Sequence, residues 1–149
     1  MSNKKWWSIM IAALLFGLSP NLQAADAIGH VKVVNGDAKV TRESKAVPVQ
    51  LGDPVLMNDQ FSTGPGGSVG ITFNDNTRVS IGPETEFVVD EFVYQPQQNK
   101  LSFGSRITKG TMQFVSGTIA KLSPETVKIN TPTGTIGVRG TQFLVKVEK

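Results

Sequence analysis

From residue 27 onward, apolar side chains recur at every second position. Val69, Ile71 and Phe73 form the clearest run. Val79 and Ile81, Leu101 and Phe103, Met112 and Phe114, Val127 and Ile129, Ile136 and Val138, and Phe143, Val145 and Val147 follow the same rule. Earlier in the chain so do Val31 and Val33, Ala38 and Val40, and Val47, Val49 and Leu51. A period of two sends successive side chains to opposite faces of an extended chain, so the pattern demands half-buried strands. Most of these residues are β-branched or aromatic, which suits a pleated surface. No window beyond residue 26 carries a sustained helical stripe.

Turn chemistry divides these runs at short intervals. Gly36-Asp37, Gly52-Asp53-Pro54, Asn58-Asp59, Gly64-Pro65-Gly66-Gly67, Asn74-Asp75-Asn76, Gly82-Pro83, Pro96 to Lys100, Ser123-Pro124 and Thr133-Gly134 all read as turns or loops. Asn74-Asp75-Asn76 predicts a tight hairpin, because Asn and Asp tolerate positive φ. Many short strands with regular turns mean an all-β domain: a sandwich, a barrel or a short solenoid. Thr63-x-x-Gly66 and Thr131-x-x-Gly134 each precede a β run, a faint echo that hints at coiled winding. With 149 residues and no visible boundary, one domain is expected.

Phe87 to Tyr94 is apolar on both faces, with Asp90 and Glu91 in its middle. Such a strand is covered on both sides, or curves so that each half faces a different neighbour. The reading favoured here is a central strand. The two acids then need a partner, for which Arg78, Arg106 and Arg139 are candidates.

The first residues read as an address. Lys4 and Lys5 precede an apolar run from Trp6 to Leu18, followed by Ser19-Pro20 and a small-residue exit at Ala24-Ala25. This is the pattern of a signal peptide over residues 1–24, with cleavage after Ala24. The run is shorter than the roughly 20 residues of a membrane span, so an uncleaved anchor is the lesser alternative. Removing the leader takes two of the 15 basic residues and none of the 12 acidic ones, leaving a net charge of +1. The expected location is the periplasm, with no integral membrane segment after processing.

Composition excludes several chemistries. There is no Cys, hence no disulfide, thiolate metal site or Cys nucleophile, and the single His, His30, cannot build a histidine metal cluster. Gly104-Ser105 lacks the second glycine of a nucleophile elbow. Gly64 to Gly70 lacks the Lys-Ser/Thr of a phosphate loop and leads into a strand. The acids match neither an EF-hand loop nor a calcium-binding nonapeptide. Basic residues are scattered, so no nucleic-acid partner is expected. Neither an enzyme nor a cofactor is expected.

The segment Val127-Lys128-Ile129-Asn130-Thr131-Pro132-Thr133-Gly134-Thr135-Ile136-Gly137-Val138-Arg139-Gly140-Thr141-Gln142-Phe143 resembles the signature that closes FecR-like domains. Leu51-Gly52-Asp53, Thr63-Gly64, Ile71-Thr72-Phe73-Asn74-Asp75, Ile81-Gly82-Pro83, Asp90-Glu91-Phe92 and Thr108-Lys109-Gly110 stand in the matching order. The resemblance covers residues 27–147. It implies a non-enzymatic module outside the cytoplasm, with short strands in a solenoid-like coiled or rolled β-sandwich arrangement. Well-known members of the family are transmembrane anti-sigma regulators that relay a signal from an outer-membrane receptor. Here only five residues precede the apolar run and nothing follows Lys149. The sigma-regulating role is therefore not expected to carry over.

Within the closing motif, Gly137 and Gly140 flank Val138-Arg139, where glycines permit a bulge or close backbone approach. Arg139 is expected to lock Asp90, Glu91 or a cluster of carbonyls; the alternative is an exposed anchor for a partner. The expected function is a periplasmic protein-interaction module held by another envelope protein, with Arg139, Tyr94 and Phe92 as candidate partner-binding residues. The rival is a binder of envelope glycan or a small ligand on a β face, using Tyr94 and Phe92 as an aromatic platform.

Overall fold

A computed structural model describes residues 26–148; the expected leader, residues 1–24, lies outside them. The described chain is all-β. Its strands are β1 (Gly29–Asn35), β2 (Ala38–Arg42), β3 (Lys45–Pro48), β4 (Pro54–Val55), β5 (Gln60–Thr63), β6 (Ser68–Phe73), β7 (Arg78–Ile81), β8 (Glu86–Gln95), β9 (Lys100–Val115), β10 (Val127–Thr131), β11 (Gly134–Gly137) and β12 (Gln142–Val147). Among the described residues one short α-helix, α1 (Thr118–Leu122), follows β9, and single 3-10 turns form at Pro96–Gln98 and Pro124–Thr126. Among the described residues no helix is long and apolar enough to cross a membrane.

The strands form one curled sheet with two halves that share β9. One half runs β4-β1-β6-β7 to the second part of β9 and then β12. The other runs β3-β2-β5-β8 to the first part of β9, then β10 and β11. Every pairing is antiparallel except β10 on β9. The chain passes repeatedly from one half to the other. The two Thr-x-x-Gly segments are not equivalent: the first crosses between halves from β5 to β6, and the second closes the β10–β11 hairpin.

A seam in β9 produces the curl. Strands β7 and β8 lie end to end along one edge of β9: Arg78 faces Val115, Ile81 faces Met112, Glu86 faces Lys109 and Gln95 faces Lys100. Between them, residues 82–85 leave the ladder opposite Gly110, whose φ is +95°. A Cβ on Gly110 would overlap the Thr85 hydroxyl and stand 2.5 Å from the Thr85 Cα, so only glycine fits. Two threonine hydroxyls satisfy the backbone left unpaired here. Thr63 Oγ1 donates to Gly82 O (2.7 Å) and accepts from Thr85 N–H (2.9 Å), and Thr85 Oγ1 accepts from Thr111 N–H (3.0 Å).

The inner faces of the two halves meet in one core. Phe61, Phe73, Phe87, Phe103 and Phe114 are fully buried. Ring contacts run Phe92–Phe73–Phe103–Phe114–Phe143, with centroids 5.1–5.7 Å apart, and tie both halves together. The Asn74–Asn76 hairpin forms as its sequence predicts, with Asn76 at φ +69°. Gly64–Gly67 is a turn, closed by Gly67 N–H to Gly64 O at 3.0 Å.

Two bulges overturn parts of the simple alternation. In β8 the register slips between Val89 and Glu91, making Asp90 the extra residue. Phe87 and Val89 face inward before the slip and Phe92 after it. The two-faced apolar pattern therefore reflects a change of phase in an interior strand, not cover on both sides. Asp90 and Glu91 are exposed, so the arginine partner expected for them is not required. In β1 the slip between Val31 and Val33 buries Val31 and leaves Val33 at the surface, against Gly70. Val47 and Leu51 are also exposed; Val47 lies on the edge strand β3 and Leu51 in the loop beyond it.

The buried acids are the ones that read as turn formers. Asp75 is completely buried and accepts from Thr77 N–H (3.0 Å), Thr77 Oγ1 (2.7 Å) and Ile119 N–H (3.1 Å), fastening the β6–β7 hairpin to α1. Asp59 is buried against Arg42, whose Nε and Nη2 donate to its two oxygens at 2.7 and 2.8 Å.

Candidate partner-binding groove

The closing motif builds a groove rather than a lock. Strand β10 lies parallel to the first part of β9, and the β10–β11 hairpin is closed by Thr131 Oγ1 donating to Gly134 O at 2.9 Å. Residues 138–141 then cross to the other half. Ser116 pins that crossing: its N–H donates to Thr141 O and its hydroxyl to Gly140 O, both at 2.8 Å. Gly140 takes φ +102°, which favours glycine. Neither Gly137 nor Gly140 has a foreign atom within 4 Å of where a Cβ would sit, so the expected close approach is absent.

Between β10, β11 and the start of β12 lies a space of about 970 Å3. Ile136, Val138 and Phe143 give it an apolar wall. Val138 is buried, while Ile136 and Phe143 are half-buried and pack on the core. Phe143 stacks on Phe114 at 5.1 Å, making the wall an extension of the aromatic chain. Lys128, Arg139 and Glu125 also line the groove. The outer edge of β11 has no strand partner among the described residues.

The three candidate residues do not share one surface. Arg139 is exposed at the groove and forms no ion pair among the described residues, so it does not lock Asp90 or Glu91. Phe92 is buried in the aromatic chain, and Tyr94 is half-buried against the core; the two do not form the exposed aromatic platform that the rival, ligand-binding reading requires. Both lie on β8, across β9 from the groove. The fork that does lock a carboxylate belongs to Arg42, which also donates to Pro54 O. Hydrogen bonding to Asp59, partly opposed by burial, raises the Arg42 pKa above the ordinary arginine value. Ile136, Val138 and Phe143 carry the alternation in the sequence, but nothing there marks them as a groove wall.

Side chains with potential chemistry lie apart from this groove. His30 is exposed on β1. Ser105 is fully buried in β9, its hydroxyl without a hydrogen-bond partner among the described residues. Among the described residues, no three His, Cys, Asp or Glu side chains gather as a metal site.

A family model described as FecR protein matches residues 59–149, from the start of β5 through the seam and the groove. A solved structure described as "Cell surface anchoring domain" is 33% identical, over 42% of this chain and 83% of its own, with a TM-score of 0.40. No curated protein matches the chain.

Proposed function

The chain belongs to the FecR family, and from that premise we infer that it is a non-enzymatic module of the cell envelope, exported by its leader to the periplasm and held there by another envelope protein. The observation that carries this reading is the groove. A strand edge and an arginine that have no partner among the described residues converge with an apolar wall on one surface. Exposed apolar surface bordered by charge is how protein interaction sites present themselves. Passage of the chain back and forth between the two halves supports a solenoid-like winding as the finer description of the fold.

The test is cross-linking in cells. A photo-reactive residue at Ile136 is expected to capture a discrete envelope protein, while the same residue at Ser80, on the outer face of β7, captures none. Equal capture at both positions, or none at Ile136, defeats the reading. Fractionation checks the location: the processed chain should leave the cell on osmotic shock.

A further inference from the structure

Away from the groove, the β6–β7 hairpin, the end of β9 and α1 enclose a second cleft of about 490 Å3. Two cations from different elements line it, Arg78 of β7 and Lys121 of α1. Both are exposed, and neither makes an ion pair among the described residues. Among the described residues no Asp or Glu lines the cleft. Asp75, adjacent in sequence, is turned inward with its carboxylate taken up by Thr77 and Ile119. Around the cations the wall is neutral and polar, with Thr72, Asn76, Thr118 and Thr141 among its residues. The first amides of α1 are already used, since Thr118 N–H donates to Asp75 O (2.8 Å) and Ile119 N–H to the Asp75 carboxylate. Recognition therefore falls to side chains.

Two cations without a counter-ion, set among neutral hydrogen-bonding groups, are half of an electrostatic arrangement. We propose that this cleft binds the phosphoryl group of a ligand. The Arg78 fork engages two of its oxygens, Lys121 supplies a second charge, and Thr72, Asn76 and Thr118 donate to the rest. A phosphoryl group suits this donor set better than a carboxylate because it offers three or more acceptor oxygens instead of two. The apolar groove beside Arg139, which includes Glu125 in its lining, suits a different ligand, and this proposal does not depend on it.

The experiment is a titration of the isotope-labelled domain with inorganic phosphate, followed by amide resonances and matched against sodium chloride at equal ionic strength. Saturable shifts are expected at Asn76, Arg78, Thr118 and Lys121 with phosphate only. Arg78→Ala should weaken binding about tenfold or more, and Lys121→Ala several-fold. Both side chains are exposed, so the variants should keep the parent melting temperature. Sedimentation with vesicles containing phosphatidic acid, whose phosphomonoester keeps three terminal oxygens, would identify a lipid headgroup as the source if it is lost in the Arg78→Ala/Lys121→Ala double variant. Saturation by phosphate without vesicle binding would identify a soluble one. Shifts that chloride reproduces, or that persist unchanged in the double variant, would overturn the proposal.

Discussion

Glycine serves opposite ends at the seam and in the closing motif. At the seam, Gly110 combines a positive φ with direct contact against Thr85, and Gly82 lies where a Cβ would overlap the Thr111 hydroxyl. Space is so short there that the missing side chain is part of the architecture. In the closing motif, Gly137 and Gly140 face open space. There the missing side chains relieve no crowding: Gly137 lines the groove and Gly140 sits in the crossing beside it. The same residue type is required by crowding in one place and uncrowded in the other, and only the surroundings distinguish the two.

The sharpest way to break this contrast is a pair of substitutions. Gly110→Ala must relieve both a backbone clash and a left-handed φ, so it should cost about 3 kcal/mol or more, or abolish folding. Gly140→Ala meets only the φ penalty, about 1 kcal/mol. Urea unfolding of the two variants measures the difference; comparable losses would mean that the seam is not crowded. Next in size is Asp75→Ala, which leaves two buried amides and a hydroxyl without their acceptor. The expected loss is about 2–4 kcal/mol, against no more than about 0.5 for Asp90→Ala on the exposed bulge.

Arg42→Ala comes next, at about 2 kcal/mol. It removes the partner of a buried carboxylate, although the arginine side chain is itself 34% exposed and solvent screens part of the effect. The pH dependence has a definite sign. A cation whose folded pKa is raised contributes fully below its unfolded pKa and loses that contribution only as pH rises through the folded value. For Arg42 that window lies beyond the ordinary arginine range. Thermal unfolding of wild type and Arg42→Ala should therefore keep a constant gap from pH 8 to pH 10. A gap that closes with rising pH would assign the stabilisation to another group.

Strands and turns were legible because each is a local statement. Asn74-Asp75-Asn76 specifies a hairpin by its own φ preferences, and Val69, Ile71 and Phe73 specify a face by their spacing. Bulges were not legible. One extra residue, Lys32 or Asp90, reverses the phase of all that follows, and the same letters then describe either two covered faces or one slipped strand. Long-range partners were hidden for a related reason. Asp59 and Asp75 look like any turn acid until Arg42 and Ile119 arrive from 17 and 44 residues away. The closing motif revealed the family through its letters. Its groove depends on β10, β11 and β12 being brought around β9 by a seam elsewhere in the chain.

The smallest expected change in stability is the one that bears most on function. Arg139 is exposed and has no ionic partner among the described residues, so Arg139→Leu should alter unfolding free energy by no more than about 0.5 kcal/mol. If its charge anchors a partner, the same substitution should sharply reduce cross-linking from Ile136, because the apolar wall remains while the oriented donors are lost. A loss of stability well above 1 kcal/mol would return Arg139 to the role of an internal lock. Unchanged stability with undiminished cross-linking would leave the wall of Ile136, Val138 and Phe143 as the surface that holds the partner. In both cases the glycines keep the meaning their surroundings give them, since neither result depends on Gly137 or Gly140 being crowded.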